Sequence, residues 1–248
     1  MRIAMRIFIS RTEDYYDQPL SAYPATIRAV FYAVGLILNV FSKLMWRWRV
    51  EDADKLWCSA AGEGAGAVVI CNHTSMAEVV ALFAFWRLSG RPLRLIMKSE
   101  FNRNPLVRWA FARAGAIPVD RGTADLKSVR RAQHALQRGE DVLIFPEGTR
   151  VRSDDQPVEV HGGFALMASM AKADIVPMAV CGFRDVTPPG KRLMRPMRCW
   201  LRAGDRVRLD DAPAGLKRSK RMQWAEDEAV RRMYALRDAL RLEHPGRF

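Results

Sequence analysis

Val68-Val69-Ile70-Cys71-Asn72-His73-Thr74-Ser75-Met76-Ala77-Glu78 reads as strand, turn and helix in quick succession. Val68 to Cys71 is an apolar run too short for a helix and suited to a strand buried on both faces. Asn72 to Thr74 breaks the run with polar groups, and the apolar pattern then resumes as a helix from Met76 to Leu88. A buried strand that feeds a helix through a polar turn is the unit of a parallel sheet.

The unit recurs along the rest of the chain. Leu93 to Met97 is the next strand candidate, Asn104-Pro105 opens a helix through Ala114, and Gly115 ends it. Ile117 and Val119 form a brief strand before Asp120-Arg121-Gly122. Thr123 is expected to cap a helix carrying Leu126, Val129, Ala132 and Leu136 at helical spacing, with Gly139 just past its end. Val142 to Phe145 is a buried strand, Gly163 to Ala171 a helix and Ile175 to Cys181 another strand. Arg198 to Leu209 holds one or two more, and the segment from Val151 to Val160 is a polar loop. Ser219 is expected to cap a last helix whose Met222, Ala225, Ala229, Met233, Leu236 and Leu240 share one face. Strands alternating with helices predict an α/β fold, a mostly parallel sheet flanked by helices. No internal repeat or low-complexity tract interrupts it.

At 248 residues and 49% hydrophobic, the chain can build one α/β domain with a substantial core. The expected division is an N-terminal segment over 1–50 and a catalytic domain over 51–248 ending in a basic helix. A formal charge of +13 calls for a polyanionic partner: nucleic acid, anionic membrane or phosphorylated substrate. The excess is concentrated in 184–248, where 17 Lys/Arg face 9 Asp/Glu. No nucleic-acid-binding signature accompanies it, so an anionic membrane surface is the favoured partner. The four cysteines have no C-x-x-C spacing and read as free thiols in a reducing compartment.

The opening residues do not read as a secretory signal. Ala29 to Leu38 is uninterrupted apolar sequence, continued past Asn39 by Val40, Phe41, Leu44 and Met45. Trp46 and Trp48 alternate with Arg47 and Arg49, a flank suited to a membrane interface. This segment is expected to lie in the interface as a helix rather than to pack on the domain or to span the bilayer.

The chemistry lies in two turns. His73 stands five positions before Glu78, a proton acceptor beside an anion able to orient it. Ser75-x-x-Glu78 is equally a capping box, in which Glu78 merely satisfies a backbone amide. Phe145-Pro146-Glu147-Gly148-Thr149-Arg150 is the second turn. Gly148 permits a close approach, Glu147 can accept hydrogen bonds from a hydroxylated substrate, and Arg150 suits a phosphate.

Together these residues resemble the glycerolipid acyltransferase family, in particular its 1-acylglycerol-3-phosphate acyltransferases. The likeness covers Val68 to about Val180 in four ordered blocks. These are Asn72-His73-x4-Glu78, Gly115 to Arg121, Phe145 to Arg150, and Ile175-Val176-Pro177; Lys98 matches a lysine that precedes the second block. The resemblance implies that His73 deprotonates the sn-2 hydroxyl of lysophosphatidic acid while Glu78 holds the imidazole. The oxygen then attacks the thioester of acyl-CoA or acyl carrier protein, giving phosphatidic acid. Arg121, Glu147, Gly148, Thr149 and Arg150 are implied to bind the glycerol phosphate, and Lys98 to face the oxyanion. Direct transfer of this kind needs no metal or other cofactor.

The sequence departs from the family pattern at two places. The usual carboxylate of the first block is aspartate, and Glu78 is one methylene longer. His161 stands in Val160-His161-Gly162-Gly163 where a lysine is usual. Acylation of another lysolipid or glycolipid, and a non-catalytic membrane-binding role, are the alternatives. The expected location is the cytoplasmic face of the cell membrane, as a peripheral or monotopic protein.

Overall fold

The structure, a computed structural model, describes residues 11–57, 66–120, 125–188, 190–191 and 193–245. The described chain begins with helix α1 (Thr12–Asp17), the long helix α2 (Ala25–Trp46), strand β1 (Arg49–Glu51) and the short helix α3 (Asp54–Trp57). Then come β2 (Val68–Cys71), α4 (Met76–Ser89), β3 (Leu93–Lys98), α5 (Pro105–Ala114), β4 (Ile117–Val119), α6 (Leu126–Gln137) and β5 (Asp141–Ile144). The chain closes with α7 (Gly163–Ala171), β6 (Ile175–Cys181), β7 (Trp200–Ala203) and α8 (Arg218–Glu243).

One seven-stranded sheet runs in the order β1-β7-β6-β2-β5-β3-β4. All neighbours are parallel except β6 and β7, which pair antiparallel with Met178 opposite Ala203. The expected mostly parallel α/β sheet is therefore present; β7 falls in the stretch expected to hold the last strands, whereas the edge strand β1 was not anticipated. Strand β2 sits at the centre, its side chains alternating between two cores. Val69 and Cys71 meet Ala81, Leu82 and Trp86 of α4 on one face. Val68 and Ile70 meet Ala132 and Leu136 of α6 and Phe164 of α7 on the other.

Local signals place several boundaries well. Asn104 accepts from the amides of Leu106 and Val107, Pro105 begins α5, and Gly115 terminates it at φ 97°. For α6 the cap is Asp125, which accepts from Ser128 N at 3.0 Å; the expected cap, Thr123, lies outside the described residues. Helix α8 starts one residue before Ser219, with Lys217 at its N-cap and no side-chain cap bond. Of its apolar stripe, Ala225, Ala229, Met233 and Leu240 are buried.

The N-terminal segment gives a correction. Trp46 and Trp48 are buried at 1% and 3% exposure, inside the core with Leu56 and Phe183 rather than at a lipid interface. Trp48 donates from its ring to Ser42 Oγ at 2.9 Å, and Lys43 returns over the Trp48 ring to donate to its carbonyl at 2.6 Å. A rim arrangement of Trp and Arg thus served packing, since Arg47 at φ 39° ends the helix and turns the chain back into the sheet. The rest of α2 is different. Phe31, Gly35, Ser42 and Trp46 are buried, whereas Val30, Leu36, Ile37, Val40, Phe41 and Leu44 are exposed. Gly35 lets α2 approach α4, because a Cβ there would lie 2.6 Å from Arg87 Cγ.

A buried ion pair fixes the segment over 15–23 to the amino end of the sheet. Arg94 is fully buried and donates from Nε to Glu140 at 2.8 Å, and from Nη1 to the Tyr15 carbonyl and the Tyr23 hydroxyl, each at 3.0 Å. It also donates to the Gln18 carbonyl, while Leu20 N donates to Glu140 at 2.6 Å.

Candidate active site

The loops that leave the carboxyl ends of β2, β3, β4 and β5 enclose a cleft of about 470 Å³, the region where open parallel sheets place ligands. His73 lines it beside Lys98, Gly148, Thr149, Arg150 and His161, and its deeper walls are apolar, including Leu95, Ile144 and Met167.

Glu78 performs both roles that the sequence left open. Its Oε1 accepts from the amides of Thr74 and Ser75 at 2.6 and 2.8 Å, closing the first turn of α4. The same oxygen meets His73 Nδ1 at 2.7 Å. A carboxylate at Nδ1 holds the proton there and makes Nε2 the basic nitrogen. Glu78 is wholly buried, so the pair is shielded from competing water. Phe145 stacks on the imidazole at 4.2 Å between ring centroids and 22° between planes, fixing the second ring rotation.

The backbone of the two turns is joined as firmly as their side chains. His73 N donates to Glu147 Oε2 at 2.7 Å, and Val151 N donates to the His73 carbonyl at 2.7 Å. Asn72 ties the end of β2 to β6, donating to the Val180 carbonyl and accepting from its amide at 2.8 Å. The polar loop over 151–160 closes at its root, where His161 N donates to the Pro146 carbonyl at 2.9 Å.

Glu147, expected from the sequence to meet substrate, is here engaged by the protein itself. It is 4% exposed, and its other oxygen accepts from the Tyr234 hydroxyl at 3.1 Å. Burial holds its carboxyl above the ordinary range, opposed by these hydrogen bonds. Residue type promised a ligand; the turn at Gly148, with φ 64°, directs the carboxylate inward. The Gly148 and Thr149 amides are also occupied, by the carbonyls of Phe145 at 3.0 Å and Glu147 at 2.7 Å. Lys98 and Arg150 line the cleft with no ion-pair partner among the described residues, two cations available to an anionic ligand. Arg121 lies outside the described residues.

Local reading missed Phe145 as a ring partner, Asn72 as the β2–β6 tie and Tyr234 altogether. An aromatic directly before Pro-Glu-Gly was a signal for the first. Tyr234, 87 residues from Glu147, left none in local sequence. Cys71 lies beneath the site, but burial pushes its thiol well above the usual range, which disfavours a nucleophilic thiolate.

The chain belongs to the acyltransferase family, whose model matches residues 49–181, more than half of its length. It is similar to a lyso-ornithine lipid O-acyltransferase of Pseudomonas aeruginosa, 31% identical over 48% of this chain and 44% of that one. It is also similar to the 1-acyl-sn-glycerol-3-phosphate acyltransferase of Streptococcus pneumoniae, 34% identical over 61% of this chain and 53% of that protein. The matched stretch spans about half the length of these relatives. In fold it resembles the 1-acyl-sn-glycerophosphate acyltransferase PlsC of Thermotoga maritima, with TM-score 0.61, 17% identity, and coverage of 94% of this chain and 87% of that one.

Proposed function

We propose that this protein is an O-acyltransferase that moves a fatty acyl group from a thioester, acyl-CoA or acyl carrier protein, to the sn-2 hydroxyl of 1-acylglycerol 3-phosphate. The observation that carries the reading is the 2.7 Å His73 Nδ1–Glu78 contact at the wall of a cleft with an apolar interior and two cations that have no ion-pair partner among the described residues. His73 Nε2 takes the hydroxyl proton as the oxygen attacks the thioester carbonyl. The tetrahedral intermediate expels the thiolate, which recovers the proton from the imidazolium, leaving phosphatidic acid and a free thiol. Lys98 is the candidate donor to the oxyanion. Arg150, together with Arg121 and the Thr149 hydroxyl, is assigned to the phosphate, and Gly148 to the turn that exposes them. No cofactor or metal enters this scheme.

The exposed apolar face of α2 is assigned to an anionic membrane surface, where the lipid acceptor resides. The buried free thiols of Cys71, Cys181 and Cys199 suit the cytoplasmic face. One observation favours a second acceptor: the similarity to a lyso-ornithine lipid enzyme, together with His161 at a position where the resembled family has lysine. Such an acceptor lacks a phosphate monoester and places less demand on Arg150.

Thiol release by purified protein, given an acyl thioester and each lysolipid in turn, tests the reading. Release is expected with 1-acylglycerol 3-phosphate and is expected to fall about 10³-fold or more in His73→Ala. Release only with lyso-ornithine lipid transfers the assignment to that acceptor. Silence with every acceptor, from folded protein, ends the enzymatic reading.

A further inference from the structure

We propose that Tyr234, on the C-terminal helix α8, is a positioning residue for His73 and acts through Glu147. The inference rests on the reading of His73 as the general base.

The chain of contacts is continuous. Tyr234 donates to Glu147 Oε1 at 3.1 Å, and Glu147 Oε2 accepts from His73 N at 2.7 Å. Glu147 is 4% exposed, so each donor it lacks is not replaced by bulk water. Three other constraints act on His73, from Glu78, Phe145 and Val151, and all come from the turns themselves. Tyr234 supplies the one that reaches them from α8, which is seated through Ala229 and Met233 in the core beneath β2. Its ring is held in turn under Arg237, 4.5 Å from the guanidinium carbon.

Catalytic groups lose rate steeply when displaced by small distances. Glu147 without its phenolic donor retains His73 N as its donor but loses the anchor that sets where its carboxylate stands. The imidazole then samples positions off the attack line, while the cleft walls that bind lipid and thioester are unchanged. Tyr234 does not line the cleft, so its effect falls on kcat and not on KM.

Kinetics of Tyr234→Phe, Glu147→Gln and the double variant test this. Tyr234→Phe is expected to lower kcat about tenfold, with both KM values within about twofold and Tm within about 2 °C. Adding it to Glu147→Gln is expected to cause no further loss, because the two residues act in series. Wild-type kcat in Tyr234→Phe, or an equal loss in both backgrounds, overturns the proposal. Exchange of the His73 amide, read by NMR, needs no turnover and separates this proposal from the enzymatic one. About tenfold faster exchange is expected in Tyr234→Phe; unchanged protection overturns the tether even if the wild type proves inactive.

Discussion

Glu78, in the first turn of α4 beyond β2, and Glu140, just before the neighbouring strand β5, are both buried glutamates, and they have opposite uses. Glu78 lies at the carboxyl end of the sheet and holds an imidazole; Glu140 lies at the amino end and holds the Arg94 guanidinium at 2.8 Å. Both also accept from the backbone, Glu78 from two amides of its own turn and Glu140 from the distant amide of Leu20. The difference lies in the partner. An imidazole can exchange its second proton with a ligand near neutral pH, whereas a guanidinium never gives one up. One pair is thus equipped for chemistry, and the other serves as a fastener for the N-terminal segment.

Replacing each carboxylate by its amide sharpens that contrast most. Glu78→Gln is expected to lower kcat about 10²-fold, with a modest loss of stability because the amide oxygen can still accept at the cap. Glu140→Gln is expected to cost about 3–5 kcal/mol by leaving Arg94 buried without its counter-ion, with kcat of the folded fraction near wild type. Denaturant titration and steady-state kinetics on both variants measure this. Equal effects of the two substitutions on kcat erase the distinction.

Arg150→Ala addresses what the catalytic end binds. It is expected to raise KM for 1-acylglycerol 3-phosphate about tenfold with little change in kcat. A shift confined to acyl-donor KM moves the phosphate site elsewhere.

The smallest effect concerns the amino end. Hydrogen bonds from Arg131 to Glu13 and Asp17 lower both carboxyl pKa values. Folded values below the unfolded ones mean that docking of α1 is fully supported above the ordinary carboxylate range, ~4, and weakens as pH falls through the depressed values. Both side chains are about half exposed, so screening keeps the contribution small. Hydrogen exchange in 11–24 is expected to accelerate below about pH 4 before the sheet loosens, and an Arg131→Met variant is expected to lack that step.

Sequence reading captured the repeating units because their signals are local. Pro105 and Gly115 bracket one helix, and Gly163 opens another where expected. The His73–Glu78 pair was visible because its members share one turn. The surroundings of Glu147 were not legible because its partners, His73 and Tyr234, lie 74 and 87 residues away. Trp46 and Trp48 were misread for a related reason. Their spacing with arginine suits a membrane rim, but the tight left-handed turn at Arg47 folds both rings under Phe183 and Leu56. Residue types state what contacts are possible, and the sheet's long-range pairings decide which are made.

The loop over 151–160 is sealed at its root by the Val151–His73 and His161–Pro146 backbone bonds. Changes of length or composition within it are therefore insulated from the imidazole by two fixed rungs. For protein engineering, that makes it an exchangeable cassette: loops from relatives can be grafted between Val151 and His161 while His73 and Glu78 stay in register. In evolutionary terms, sequence at the rim of this cleft can drift without displacing His73.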